Sequence, residues 1–350
     1  MYSTTTTAAA ADHGGATSIA AIHPDIIQSH ILKRLDGATL AATTCASKQL
    51  LSVCTDDHLW REISNSTWPS TAHPTVLAAI ADFPSGHRSL YSDSFPASRT
   101  HHSPPARKTG FPDTSELISA VDIFFDGELI YSKVLTTETL SGWFHCSPLR
   151  IDLLHQDEAV ATPLKFDGEE GACIERAAER LRVSWILIDP SKNRAVNVGG
   201  SKAVEARWHW LTGDVKLRYG AVVDCGGDEV FQCGVVVTCG GKEGGELMVR
   251  EISMQIEDVE GKTVTGLDSL RILDRAMEGQ RCKFNWERER ENYEMFKRTK
   301  VGLREMKERR ERRLDTACVV AGVSIVIGML VLLLARRGNI YNWSFFNFVN

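Results

Sequence analysis

Apolar positions near the start of the chain recur at helical spacing. Ile27, Ile31, Leu32 and Leu35 fall on one stripe of a 3.6-residue helix, with Gln28, Lys33 and Arg34 on the opposite side. Pro24 suits a first helical position because its missing N–H is not needed there, and Asp25 complements the helix dipole. A helix is therefore expected to begin at His23 or Pro24 and to break at Asp36-Gly37. A second helix over Ala38 to Cys45 presents Leu40, and a third from about Ser47 to Cys54 offers Leu50, Leu51 and Val53. Helices this short bury too little apolar surface to stand alone, so the unit should lean on a partner or on the rest of the chain.

The pattern then changes period. From Pro69 to Ser115, prolines and polar residues predict a linker, relieved by one short helical piece around Val76 to Ala81. Residues 117 to 275 read mostly as strands. LISAVDIFFDGELIYSKV is broken by Asp126-Gly127, a dipeptide that suits a two-residue hairpin turn. Val204, Ala206, Trp208 and Trp210 alternate with Glu205, Arg207, His209 and Leu211, which predicts a half-buried antiparallel strand with the tryptophans inward. A helix over Cys173 to Leu181 interrupts the strands, and CGGKEGGE reads as a hairpin turn. Such a series argues for an antiparallel β-sandwich or jelly-roll-like domain.

Residues 281 to 315 are charged with mixed sign and favour a long helix; Trp286 and Tyr293, then Phe296 and Leu303, recur at seven as in a coiled coil, but Lys300 and Arg310 fall on the same stripes, so the helix is expected to pack one side on the β-domain instead. Ala317 to Ala335 then carries no charge, close to the roughly 20 residues that cross a bilayer as a helix. Ala317, Val319, Val323, Ile327, Leu330 and Leu334 are the expected lipid-facing positions. Lys307, Arg309, Arg310, Arg312 and Arg313 precede this run and only Arg336 and Arg337 follow it, which orients the amino-terminal side to the cytosol. The expectation is a tail-anchored membrane protein facing the cytosol; a buried core helix at the chain end is the alternative.

The fold class expected is thus α+β and multidomain. It comprises a disordered leader over 1–17, a short helical box over 18–68, a Pro/Ser-rich linker over 69–115, a β-sandwich over 116–275, a charged helix over 276–315, a single C-terminal transmembrane helix over 316–337, and a short tail over 338–350.

Composition narrows the partners. The chain of 350 residues has a net charge of −5 and a sequence pI near 6.1, so there is no global basic field, and nucleic acid is not an expected partner. Nine cysteines without C-x-x-C pairs point to free thiols in a reducing compartment. Cys225, Cys233 and Cys239 do not match zinc spacings and read as buried strand thiols.

Within the helical box the order of residues is specific. Pro24, Ile27, Ile31, Leu32, Arg34, Leu35, Leu40, the Ser47-Lys48 step and the closing Leu59-Trp60-Arg61 follow one another as in an F-box, which this segment resembles. The departure is His23, where that family usually has leucine. The segments AVDIFFDGELIYSKV, ETLSGWFHCSP and SWILIDPSKNRAVNVGG look like a plant F-box family that joins the box to a β-rich carboxy-terminal domain, and the likeness covers most of residues 17 to 315. It implies a non-catalytic subunit of a cullin-type (SCF) ubiquitin ligase that docks a Skp-type adaptor through Pro24, Ile27, Ile31, Leu32, Leu35, Leu40, Ser47, Lys48, Leu50, Leu59 and Trp60, and holds an unknown protein target on the β-domain.

SWILIDPSKNRAVNVGG and ARWHW are also similar to plant phloem lectins, which implies the alternative of a carbohydrate-binding protein with a vestigial box. No catalytic residue, cofactor or metal is expected: CGGKEGGE lacks the Walker order, and no Gly-x-Ser-x-Gly elbow or His-Glu-x-x-His helix occurs. His101-His102 read as solvated loop, and Asp224, Asp228 and Glu229 as turn charges.

Overall fold

The computed structural model describes residues 22–98, 114–165, 170–225, 229–241 and 244–346. The leader expected over 1–17, His101-His102, Asp228 and the last residues of the tail lie outside them.

The chain begins with α1 (Pro24–Ile26), which runs directly into a π-helical turn, Ile27–Ile31, and a 3₁₀ turn, Leu32–Arg34. Next come α2 (Gly37–Thr43), α3 (Lys48–Cys54) and α4 (Asp57–Thr67), capped by the side chains of Asp36, Ser47 and Asp56. His23, the residue that departs from the leucine of the box pattern, has a job of its own: its Nδ1 accepts from the Asp25 N–H at 3.3 Å and caps α1. His73 repeats the device ahead of Pro74, accepting from Thr75 N–H at 3.3 Å.

The linker expected over 69–115 is replaced, as far as residue 98, by folded structure. A 3₁₀ turn Pro69–Ala72, α5 (Pro74–Ile80) and α6 (Gly86–Asp93) follow α4 without a break. Pro69 and Pro74 stand at helix starts, where proline is tolerated, so they initiate helices rather than interrupt them.

Among the described residues ten strands follow: β1 (Glu116–Phe125), β2 (Glu128–Glu138), then α7 (Gly142–Cys146), β3 (Arg150–Asp152), β4 (Val160–Lys165), α8 (Glu170–Arg180), β5 (Leu181–Asp189), β6 (Arg194–Asn197), β7 (Glu205–His209), β8 (Asp214–Asp224), β9 (Val230–Gly240) and β10 (Glu246–Glu257). All pairings are antiparallel. They form a four-stranded sheet in the order β2-β1-β5-β6 and a six-stranded sheet in which β3-β10-β9-β8-β7 run side by side and β4 also pairs with β10. At the predicted β1–β2 turn Asp126 and Gly127 both take positive φ, 51° and 87°, as a tight hairpin requires.

The two sheets share one core. Leu117, Val121 and Ile123 of β1 and Val183, Trp185 and Leu187 of β5 meet Val215, Leu217 and Tyr219 of β8 and Cys233, Val235 and Val237 of β9. The other face of the four-stranded sheet is covered as well: Ile118, Ala120, Ile186 and Ile188 pack against Trp68, Val76, Ile80 and Leu90 of the helical layer. This explains why β1 and β5 read as unbroken apolar runs, since a strand buried on both faces has no solvent side. Asp122, also on the covered face, is fully buried and accepts from Ser70 N–H at 2.9 Å, Ser70 Oγ at 2.6 Å and Ser132 Oγ at 2.7 Å. Burial raises its pKa, opposed by those donors.

The strand reading up to residue 275 missed α9 (Gly266–Glu278), whose Leu270, Leu273, Ala276 and Met277 are buried. Its signal was in the chain: Thr265 and Asp268 make reciprocal cap contacts ahead of apolar residues at helical spacing. Arg281 closes its end, donating to the carbonyls of Ala276, Met277 and Gly279 and to that of Ala195 on β6.

The last helix, α10, spans Trp286–Phe346 and starts ten residues later than the charged helix expected from 276. Its first turns cross the outer face of the six-stranded sheet, packing one side of the helix there as expected, with Tyr293 and Phe296 buried. Trp286 Nε1 donates to Ala203 O at 3.2 Å, and Tyr293 Oη and Lys297 Nζ donate to Glu205 at 2.8 and 2.9 Å. Glu289 sits between helix and sheet with Oε1 unpartnered, and burial pushes its carboxyl up to about 7. From Arg304 to Leu334 the helix is exposed almost throughout, including Ala317, Val319, Val323, Ile327, Leu330 and Leu334. Its apolar part has a mean hydropathy of 2.9 and no burial, so it is long and apolar enough to cross a membrane and is not a core helix.

Candidate functional site

The helical unit has a small filled core. Ile27, Leu32, Leu40, Leu50, Cys54, Leu59, Trp60 and Ile63 form it, with Leu35 and Tyr91 packed against it. Trp60 donates its indole N–H to Cys54 O at 2.7 Å, and the Arg88 guanidinium lies 6.0 Å from its ring. Burial raises the Cys54 thiol's pKa, consistent with a packing role.

The structure divides the expected docking residues between this core and the surface. Of the positions expected to touch an adaptor, Ile27, Leu32, Leu40, Leu50, Leu59 and Trp60 are buried against one another and serve to build the unit. Pro24, Ile31, Ser47 and Lys48 stay on the surface, and Leu35 is half-buried. Ser47 spends its side chain on the α3 N-cap, accepting from Leu50 N–H at 3.1 Å.

The surface instead carries three large aliphatic side chains: Ile26, 51% exposed, Ile31, 44%, and Leu51, 42%. Ile31 was expected on one stripe with Ile27, Leu32 and Leu35, and as a docking position. The π-turn explains its release, because the Leu32 N–H reaches back five residues to Ile27 O and the wider turn stacks Leu32, not Ile31, over Ile27. Ile26 and Leu51, absent from the predicted docking set, are exposed as well. The Ile26-Ile27 and Leu50-Leu51 doublets are the signal for this: two adjacent aliphatics on a short helix cannot both face one small core.

Tyr91 ties the unit to the rest of the molecule. Its ring lies 5.3 Å from Trp60 and 5.3 Å from Trp68, and 5.4 Å from Phe95, which in turn approaches Phe284 at 6.3 Å. Gly37 opens α2 against this ring, and a Cβ there would fall within it. Asp57 at the start of α4 accepts from the backbone N–H of His87 at 2.8 Å and contacts its Nδ1 at 2.8 Å, a second link between unit and layer.

In the β-domain, Cys225, Cys233 and Cys239 are buried, with their pKa values pushed up by burial to about 11, 12 and 12, as expected of strand thiols. Among the described residues no group of His, Cys, Asp and Glu could hold a metal ion. Trp208 packs against the core from its edge, but Trp210, expected inward, lies in the turn after β7 and is 84% exposed beside Leu211. The alternation ends one residue too early for it, because the strand stops at His209.

No family profile and no solved structure matches the chain. Three proteins of Arabidopsis thaliana do. The F-box protein At2g27310 is 44% identical, over 91% of this chain and 97% of its own. The F-box protein At3g44326 is 37% identical, over 92% and 91%, and the probable F-box protein At2g36090 is 38% identical, over 91% and 94%.

Proposed function

This chain belongs to the plant F-box protein family, and from that membership we propose that it is the substrate-recognition subunit of a cullin-type ubiquitin ligase, held at a membrane. The exposed side chains of the helical unit, Pro24, Ile26, Ile31, Leu51 and Lys48, bind a Skp-type adaptor, and the β-rich domain presents a target. Ubiquitin transfer belongs to partner subunits, and the chain contributes effective concentration by tethering target and ligase. The observation that carries the reading is that a unit with a filled core still exposes Ile26, Ile31 and Leu51.

Adaptor copurification with an Ile31→Asp, Leu51→Asp variant is the test. These positions are exposed, so the melting temperature should hold while capture falls; undiminished capture would sink the proposed face. The bare apolar run of α10 supports a tail anchor with the box on the cytosolic side. Deleting residues 316–350 should release the protein into the soluble fraction, and continued sedimentation with membranes would count against it. One observation favours the carbohydrate-binding reading, the exposed indole of Trp210, a group able to stack on a sugar face. Glycan binding lost in Trp210→Ala, without adaptor capture by the wild type, would establish that alternative.

A further inference from the structure

Where α10 leaves the six-stranded sheet, helix and sheet enclose an open groove of about 1090 Å³. Its charge has a repeating order. Glu205 is paired with both Arg207, at 2.6 Å, and Lys297, at 2.9 Å. Glu257 is paired with both Arg218, at 3.4 Å, and Lys300, at 3.3 Å. Glu260 is paired with Lys262 at 2.8 Å, and the field of Lys307 also acts on it. Each acid is thus bracketed by one cation from the β-domain and one from α10, and each bracket leaves a positive charge in excess. Arg310 and Glu311 also line the groove, as do Arg304 and its partner Glu308, so that eight Lys and Arg face four Glu in the lining. The helix wall also offers exposed Val301 and Met306 between these charges.

We propose that this groove is a docking site for an extended acidic segment of a target protein, one that carries an apolar side chain to lie against Val301 and Met306. The proposal rests on the reading of the β-domain as target receptor and places the target on it. Excess cations at successive positions along one groove complement a row of carboxylates, and the mixture of charge with aliphatic surface suits a peptide better than a simple ion. A lipid headgroup is a poorer fit. Along the helix, Lys297 and Lys300 stand about 30 and 25 Å from Ala317 and Arg310 about 10 Å, whereas the headgroup layer extends only about 5–8 Å beyond the hydrocarbon, so a headgroup reaches the near end of the groove and not its whole length.

The experiment uses the full chain in phosphatidylcholine nanodiscs and a fluorescein-labelled peptide of ten glutamates with a central leucine. Anisotropy should report saturable binding that weakens with salt. A triple variant, Arg207→Ala, Lys307→Ala and Arg310→Ala, should weaken it at least tenfold with the melting temperature retained, and Met306→Asp should weaken it severalfold. Equal binding of a lysine or serine peptide, or an unchanged affinity in the triple variant, would overturn the proposal. Loss of peptide binding on adding phosphatidylserine to the disc would assign the cations to lipid and overturn it too. In cells, a triple variant that keeps every client ubiquitinated by the wild type rejects the groove while the receptor reading stands. If no client depends on the wild-type chain, the receptor reading itself falls.

Discussion

The two sheets make opposite use of their second faces. The four-stranded sheet is covered on both sides, by the six-stranded sheet on one and by Trp68, Val76, Ile80 and Leu90 on the other. The six-stranded sheet turns Arg218, Gln232 and Glu257 outward, where only the first turns of α10 lie over them. A face filled with tryptophan and aliphatics fixes position; a face of paired charges under one helix leaves room for something to bind. The same domain therefore joins rigidly to the helical box on one side and stays open on the other.

The comparison breaks most visibly at Trp68. Trp68→Ala removes the largest side chain between box and sheet and should cost about 3–5 kcal/mol, splitting a single unfolding transition into two in calorimetry. One undivided transition with little loss would mean that the layer does not couple them. Ser70→Ala sharpens the same point, deleting the hydroxyl donor to buried Asp122 at an expected cost of about 1.5–3 kcal/mol in denaturant titration.

On the open side the expected effect depends on pH. The Glu289 carboxyl is raised by burial to about 7, so the folded chain holds a proton that the unfolded chain, with the ordinary value of 4.5, has released. That contribution is present below 4.5 and is lost as pH rises through 7. The wild type should lose on the order of 2 kcal/mol across this window and Glu289→Gln should not, as read from melting temperature against pH. Glu205 has the reverse sign: burial would raise its pKa, but hydrogen bonds from Lys297, Tyr293 and Arg207 overcome this and hold it at about 2, so its share is lost as pH falls from 4.5 towards 2. Smallest is Arg304→Ala, which removes an exposed pair with Glu308 and should change stability by no more than about 0.5 kcal/mol.

What the chain disclosed in advance follows from how local each feature is. Asp126-Gly127 specifies its hairpin within two residues, and the long apolar run at the end of α10 needs no tertiary context. The box was legible as an ordered series, yet which of its side chains are buried and which exposed was not, because a π-turn displaces Ile31 from the stripe that a regular helix would give it. Prolines misled over 69–98, since the same residue breaks a helix inside and begins one at its first turn. Trp210 was misplaced by one position of strand length. The three brackets around Glu205, Glu257 and Glu260 join residues far apart in the chain, and no spacing announces them.

The unbroken course of α10 has one more consequence. From Lys300, the last residue bonded to the sheet, to Ala317, a helix rising about 1.5 Å per residue is about 25 Å long. Pinned at one end, free of proline and with Gly302 as its one glycine before Ala317, it would act as a ruler. Anything gripped on the sheet is held at a set height above the apolar segment, and a ligase seated on the box would work within a band of reach, favouring acceptor lysines at one distance over those nearer or farther away.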